Sequence, residues 1–95
     1  MWAKFLPQLK ERVSLLESAA ADFSAGRLSP ADRLAAHAAA HKLAGVLGTF
    51  GLDRGTVLAR ELEAIYSREG SLDRSLAAHL TAIAAELRTI IEGRK

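Results

Sequence analysis

Histidine is the side chain of this sequence best suited to covalent chemistry at neutral pH. Two of its three histidines stand four residues apart in His37-Ala38-Ala39-Ala40-His41. An imidazole with an unperturbed pKa near 6.5 is mostly neutral at about pH 7 and presents a nitrogen lone pair as nucleophile. The same i, i+4 spacing also suits two ligands on one helix face chelating a metal. Two ligands make a weak site, however. No Glu follows His37 as in a zinc-protease helix, and the chain has no cysteine, so no metal is expected.

The surroundings of His41 narrow its use. With Leu43 at the centre of a buried face and a step of ~100° per residue, Ala36, Ala39, Ala40, Val46, Leu47 and Phe50 fall within about 60° of it. His41 falls on the opposite side, with Ala38, Gly45 and Gly48 around it. The imidazole is therefore expected to face solvent with nothing bulky beside it. Each glycine inside a helix costs roughly 0.5–1 kcal/mol relative to alanine. On an outward face no core packing demands a small residue, so the spacing reads as clearance for another protein to reach the ring.

Four amphipathic helices are expected to position this stretch. Trp2, Leu6, Leu9, Val13, Leu16, Ala20 and Phe23 repeat at steps of three and four, the stripe of a first helix. Pro7 is tolerable only near a helix start, so the regular helix should begin close to it. Gly26 suits the left-handed position after its end. Ser29-Pro30-Ala31-Asp32 combines an N-cap, a proline at the first helical position and a carboxylate in the first turn, opening the second helix. Asp53 is the expected cap of a third helix with Leu58, Leu62 and Ile65 as its stripe. Ser71 is the expected cap of a fourth, with Leu72, Leu76, Leu80, Ile83, Leu87 and Ile90 inward, ended by Gly93 and two basic residues. The helices are placed at about 4–24, 30–50, 53–68 and 72–92. No one of them can bury its face alone, so the expected fold is all-α, an antiparallel up-down four-helix bundle, with residues 1–95 as one domain.

Composition removes several function classes. Nearly half the chain, 49%, is hydrophobic, mainly Ala and Leu, which argues against disorder and for helices. A net charge of +2 with bases and acids interspersed forms no basic stripe, so nucleic acid is not an expected partner. No apolar run approaches the ~20 residues of a membrane span, and the N-terminus lacks a signal-peptide layout, so a cytoplasmic location is expected. No P-loop and no kinase glycine-rich lid is present, so the chain is not expected to bind ATP.

Ala40-His41-Lys42-Leu43-Ala44-Gly45, followed by Gly48, Phe50 and Gly51 and then by Leu58, Leu62 and Glu63, resembles the histidine-containing phosphotransfer (HPt) domain of two-component phosphorelays. The specific part of the resemblance covers roughly residues 40–63, and the helical layout covers the whole chain. It implies that His41 accepts a phosphoryl group from a phosphoaspartate on a receiver domain and passes it to another receiver. It implies too that the chain is a phosphocarrier and not an independent enzyme, with no cofactor of its own and Mg²⁺ only on the partner receiver. Gly45 and Gly48 would let the receiver close over the ring, while Ala38, Leu34 and His37 would belong to the docking face. Lys42 would neutralise phosphate charge. The family pattern usually has lysine three residues after the histidine, where this chain has Ala44. Either Lys42 reaches round, although it points about 100° away from His41, or the receiver supplies all the positive charge. Expected partners are response-regulator receiver domains and a hybrid histidine kinase, and the chain is expected to act as a monomer, either complete or as a module of a longer protein.

A non-phosphorylated bundle that binds a receiver or a helical partner as a scaffold is the alternative. A scaffold needs no nucleophile. His79 is read as a surface or boundary residue, and Glu61, Glu63, Arg68 and Glu69 as a solvated helix face.

Overall fold

The computed structural model describes residues 2–68, 70 and 72–93. The side chain of Trp2, the expected cap Ser71, and Glu69, Arg94 and Lys95 lie outside that description. The described residues form four α-helices: α1 (Trp2–Ser24), α2 (Pro30–Thr49), α3 (Asp53–Tyr66) and α4 (Ala77–Gly93), the last preceded by a 3₁₀ turn at Arg74–Leu76. No strand occurs among them. Each helix packs on its neighbours in sequence, and α1 also packs on α4, closing an up-down ring about 38 Å long and 20 Å across.

The core follows the apolar stripes. Leu9, Val13, Leu16, Ala20 and Phe23 of α1 meet Leu43 and Leu47 of α2, Leu58, Leu62 and Ile65 of α3, and Leu80, Ile83, Leu87 and Ile91 of α4 in one buried cluster. Val46 and Ile90 are only partly buried at its margin. Every buried residue of α2 besides the two leucines is alanine: Ala36, Ala39, Ala40 and Ala44. By helical angle Ala36, Ala40 and Ala44 share a flank with Arg33, His37 and Leu47. These last three reach α3 or the chain just after it. Small residues therefore line the side of α2 that lies against α3, which brings the two helix axes close.

The local signals for α2 act as expected. The Ser29 hydroxyl accepts a hydrogen bond from the Asp32 amide at 3.0 Å, with Pro30 at the start of the helix. The preceding helix ends at Ser24 and is closed off by Gly26, whose φ of 74° permits amide bonds from Gly26 to the Phe23 carbonyl and from Arg27 to that of Asp22.

Three boundaries depart from expectation. α1 begins at Trp2, so Pro7 lies in its second turn; the proline lacks the N–H that would bond the exposed Ala3 carbonyl, which is left to solvent. Asp53 is the first residue of α3, not its cap; Leu52 precedes it and offers no side-chain bond. The fourth helix starts five residues later than its stripe implies. Asp73 caps the 3₁₀ turn instead, accepting from the Ser75 amide at 2.9 Å, because a short polar side chain there competes with helix propagation. This end of the bundle is clasped by Arg33. Its guanidinium donates to the carbonyls of Tyr66, at 3.1 Å, and of Arg68 and Gly70, while Arg74 donates to the Ser24 carbonyl at 3.3 Å.

Candidate functional site around His41

His41 stands on the outward face of α2, with 72% of its side chain exposed. Ala38, Gly45, Gly48 and Leu34 share that face and are all exposed, Leu34 at 69%. The helical period alone accounts for this grouping, since these positions lie within about 60° of His41. The fold does not require either glycine. A Cβ added at Gly45 would meet nothing within 4 Å, and one at Gly48 would make only an ordinary contact with Thr56 Oγ1 at 3.6 Å.

The ring is not free on all sides, and this corrects the expectation of nothing bulky beside it. Glu63 of α3 brings its carboxylate Oε2 to 2.6 Å from Nδ1 of His41. The same oxygen lies 3.9 Å from Nε2 of His37, which is half-buried one turn earlier on α2. Glu63 is thus a bonded member of the site and not part of a solvated helix face. Its side chain is only 25% exposed, because the small residues on the α3 flank of α2 let the helices approach closely. Glu61 and His79 likewise bond one another across α3 and α4, so His79 is an interhelical partner as well as a surface residue.

The contact to Glu63 settles which nitrogen is available. A carboxylate accepts, so Nδ1 carries the proton and donates; in the neutral ring Nε2 then holds the lone pair. The arrangement fixes a tautomer and a ring orientation, which is what a nucleophilic imidazole needs.

On its other flank His41 borders a groove of about 450 Å³ between α1 and α2. Phe5, Gln8 and Arg12 line it from α1, and Lys42, Gly45, Val46 and Thr49 from α2. At its end the Phe5 and Phe50 rings meet edge-on, with centroids 5.9 Å apart. Lys42 lines the same groove as His41, although its angular position on the helix is offset. Ala44, at the place where a cation is usual, is 4% exposed on the opposite, α3-facing flank. Gln8 and Arg12 were not singled out by sequence reasoning. Nothing within α1 distinguishes Arg12 from the charged Lys10 and Glu11 beside it; only packing against α2 does. Among the described residues no group of three or more His, Cys, Asp or Glu side chains is arranged to hold a metal ion, and no helix is long and apolar enough to cross a membrane.

Comparison with known proteins identifies the family of the chain. The Hpt domain family model matches residues 1–93. Protein RcaC of Microchaete diplosiphon is 37% identical over 62 residues, which is 65% of this chain and 10% of RcaC. The chain thus spans about a tenth of the length of that curated relative. No solved structure gives a significant match. The chain belongs to the Hpt domain family, whose members are phosphocarriers of two-component relays.

Proposed function

We propose that His41 is the phosphoacceptor, taking a phosphoryl group from a receiver-domain phosphoaspartate and passing it to a second receiver. The observation that carries this reading is the 2.6 Å contact between Glu63 Oε2 and His41 Nδ1 on an otherwise open helix face. The lone pair of Nε2 attacks phosphorus, the bond from phosphorus to the aspartyl oxygen breaks, and the aspartate leaves as a carboxylate. No proton has to leave Nε2. The positive charge the ring acquires lies against the Glu63 carboxylate through Nδ1–H, so the developing imidazolium is stabilised where it forms. Onward transfer is the same sequence reversed on a second receiver, with Nε2 as leaving group.

The rest of the face supports this use. Gly45, Gly48 and Ala38 leave room above the ring, and Leu34 offers an exposed apolar contact for the arriving domain. His37 belongs to the same surface and shares Glu63, so it acts as a neighbour of the acceptor. Mg²⁺ belongs to the receiver, which supplies the metal-assisted part of the transfer. A hybrid histidine kinase is a further partner of this kind, and the relay is placed in the cytoplasm.

The test is transfer from a ³²P-labelled receiver to wild type, His41→Gln and Glu63→Ala. Acid-labile, alkali-stable label is expected on wild type, none on His41→Gln, and a rate reduced about 10-fold or more on Glu63→Ala, since an unfixed tautomer loses both orientation and charge stabilisation. Label that persists on His41→Gln would move the acceptor to His37. A folded wild type that binds several receivers without accepting label would leave the scaffold reading in its place.

A further inference from the structure

Two cations of the α1–α2 groove have no partner. Arg12 and Lys42 make no ion pair or side-chain hydrogen bond among the described residues. The other guanidiniums that lie between helices or against loops are engaged: Arg54 with Glu86, Arg88 with Glu17 and Glu92, and Arg33 and Arg74 with backbone carbonyls. The unpaired pair stands in one groove with the amide of Gln8 and the ring of His41, and no acidic side chain lines it among the described residues. The carboxylate bonded to His41 among the described residues, that of Glu63, lies on the opposite flank.

We infer that this groove is the seat of the phosphoryl group's negative charge, with Arg12, reaching from α1, as a positioning residue beside Lys42 and Gln8. The inference rests on His41 as acceptor and adds where the charge goes once it is there. A phosphoryl on the open side of the ring carries close to two negative charges near pH 7 and has three acceptor oxygens. A guanidinium presents five donors in a planar fork that matches two of those oxygens, and the Lys42 ammonium adds a point charge. The site is thereby polarised, with an anion on one flank to hold the ring and cations on the other to hold what the ring carries. The cation absent at Ala44 is supplied from a different helix.

The experiment uses phosphoramidate as a small-molecule donor, so that no relay partner is needed. Nε2 attacks its phosphorus, the P–N bond breaks, and the leaving amine takes up a proton to depart as ammonia. The protonation midpoint of the resulting phosphohistidine, ring and phosphoryl together, is followed by ³¹P NMR over the pH range in which the acid-labile bond survives, in wild type, Arg12→Ala, Lys42→Ala and Lys10→Ala. A nearby cation favours the dianion, so removing Arg12 or Lys42 is expected to raise the midpoint by about half a pH unit each. Lys10→Ala, on another face of α1, is expected to leave it unchanged. In parallel, inorganic phosphate is titrated into the unphosphorylated protein, and amide shifts are expected to cluster at Gln8, Arg12 and residues 41–49. Midpoints for folded Arg12→Ala and Lys42→Ala that match wild type would overturn the inference. So would a failure of phosphoramidate to label, combined with no clustered shifts on phosphate titration. If phosphoramidate labels His41 and the midpoints move, but no receiver transfers to wild type, the relay reading fails and the anion seat stands.

Discussion

Helix α1 contributes to two seams, and they treat the same kind of charge in opposite ways. Against α4, Arg88 is fully engaged: it donates to both oxygens of Glu17 at 2.8 and 2.7 Å, to Ser14 Oγ at 2.9 Å and to Glu92 at 2.9 Å. Against α2, Arg12 and Lys42 face a groove with no acid among its described lining residues. Shape divides along the same line. Where α3 closes on α2, a Cβ on Gly55 would come within 2.9 Å of Leu47 Cδ1, whereas one on Gly45 beside the groove would touch nothing. Closed seams are filled and neutralised, while the seam next to His41 is left unfilled and positively charged. A surface selected for stability alone has no use for the second arrangement, and it is the face that the proposed transfer uses.

Breaking a closed seam is expected to have the largest effect. Gly55→Ala forces Leu47, which is fully buried, out of place and is expected to destabilise by about 1–2 kcal/mol after the gain in helix propensity, read as a lower urea midpoint. Arg88→Met removes the bidentate pair from a partly exposed site and is expected to lose about 1 kcal/mol, a fall of roughly 5 °C in melting temperature. The same variant tests a pH dependence. The hydrogen bond from Arg88 holds the Glu17 carboxyl below its ordinary value near 4.5, so the unfolded chain takes up that proton first. The stabilisation is complete above that value and is lost as pH falls through the lower folded one. The gap in melting temperature between wild type and Arg88→Met should therefore narrow as pH falls below the ordinary carboxyl value of 4.5.

The open seam should answer differently. Gly45→Ala is expected to stabilise by about 0.5–1 kcal/mol, because the position is helical and unobstructed, while slowing transfer from a receiver by crowding the ring. Arg12→Ala is expected to change stability least, within about 0.5 kcal/mol in urea, since no hydrogen bond or ion pair among the described residues is lost. A large loss of stability in Arg12→Ala would show that the groove is structural and erase the contrast between the seams.

How much of this was legible in the sequence depended on whether one helix sufficed to show it. The outward placement of His41 with Ala38, Gly45 and Gly48 follows from the helical period, and the start of α2 from Ser29 and Pro30. The bundle follows from four apolar stripes. The Glu63 contact and the Arg12 groove do not follow, because they depend on how far α3 and α1 are rotated and shifted relative to α2. A period within a single helix does not encode that offset. Glu63 was visible as part of the family resemblance, but its charge made a solvated face the simpler reading until α3 was placed. Ala44 showed that a cation was missing, and only the packed structure shows which side chains occupy the neighbouring groove. The delayed start of α4 was hidden for a local reason: Leu72 and Leu76 continue the apolar stripe while Asp73 redirects the backbone.

The alanines of α2 have a consequence beyond filling space. A glutamate side chain is short, and it meets Nδ1 only if the two backbones are held at a narrow and constant separation. Ala36, Ala40 and Ala44 serve as a gauge that sets that gap. A larger side chain at any of them would wedge α3 away and loosen the proton on Nδ1 without touching the imidazole. The choice between the two tautomers of His41 is, on this view, made by the width of an interface and not only by the residues that meet across it.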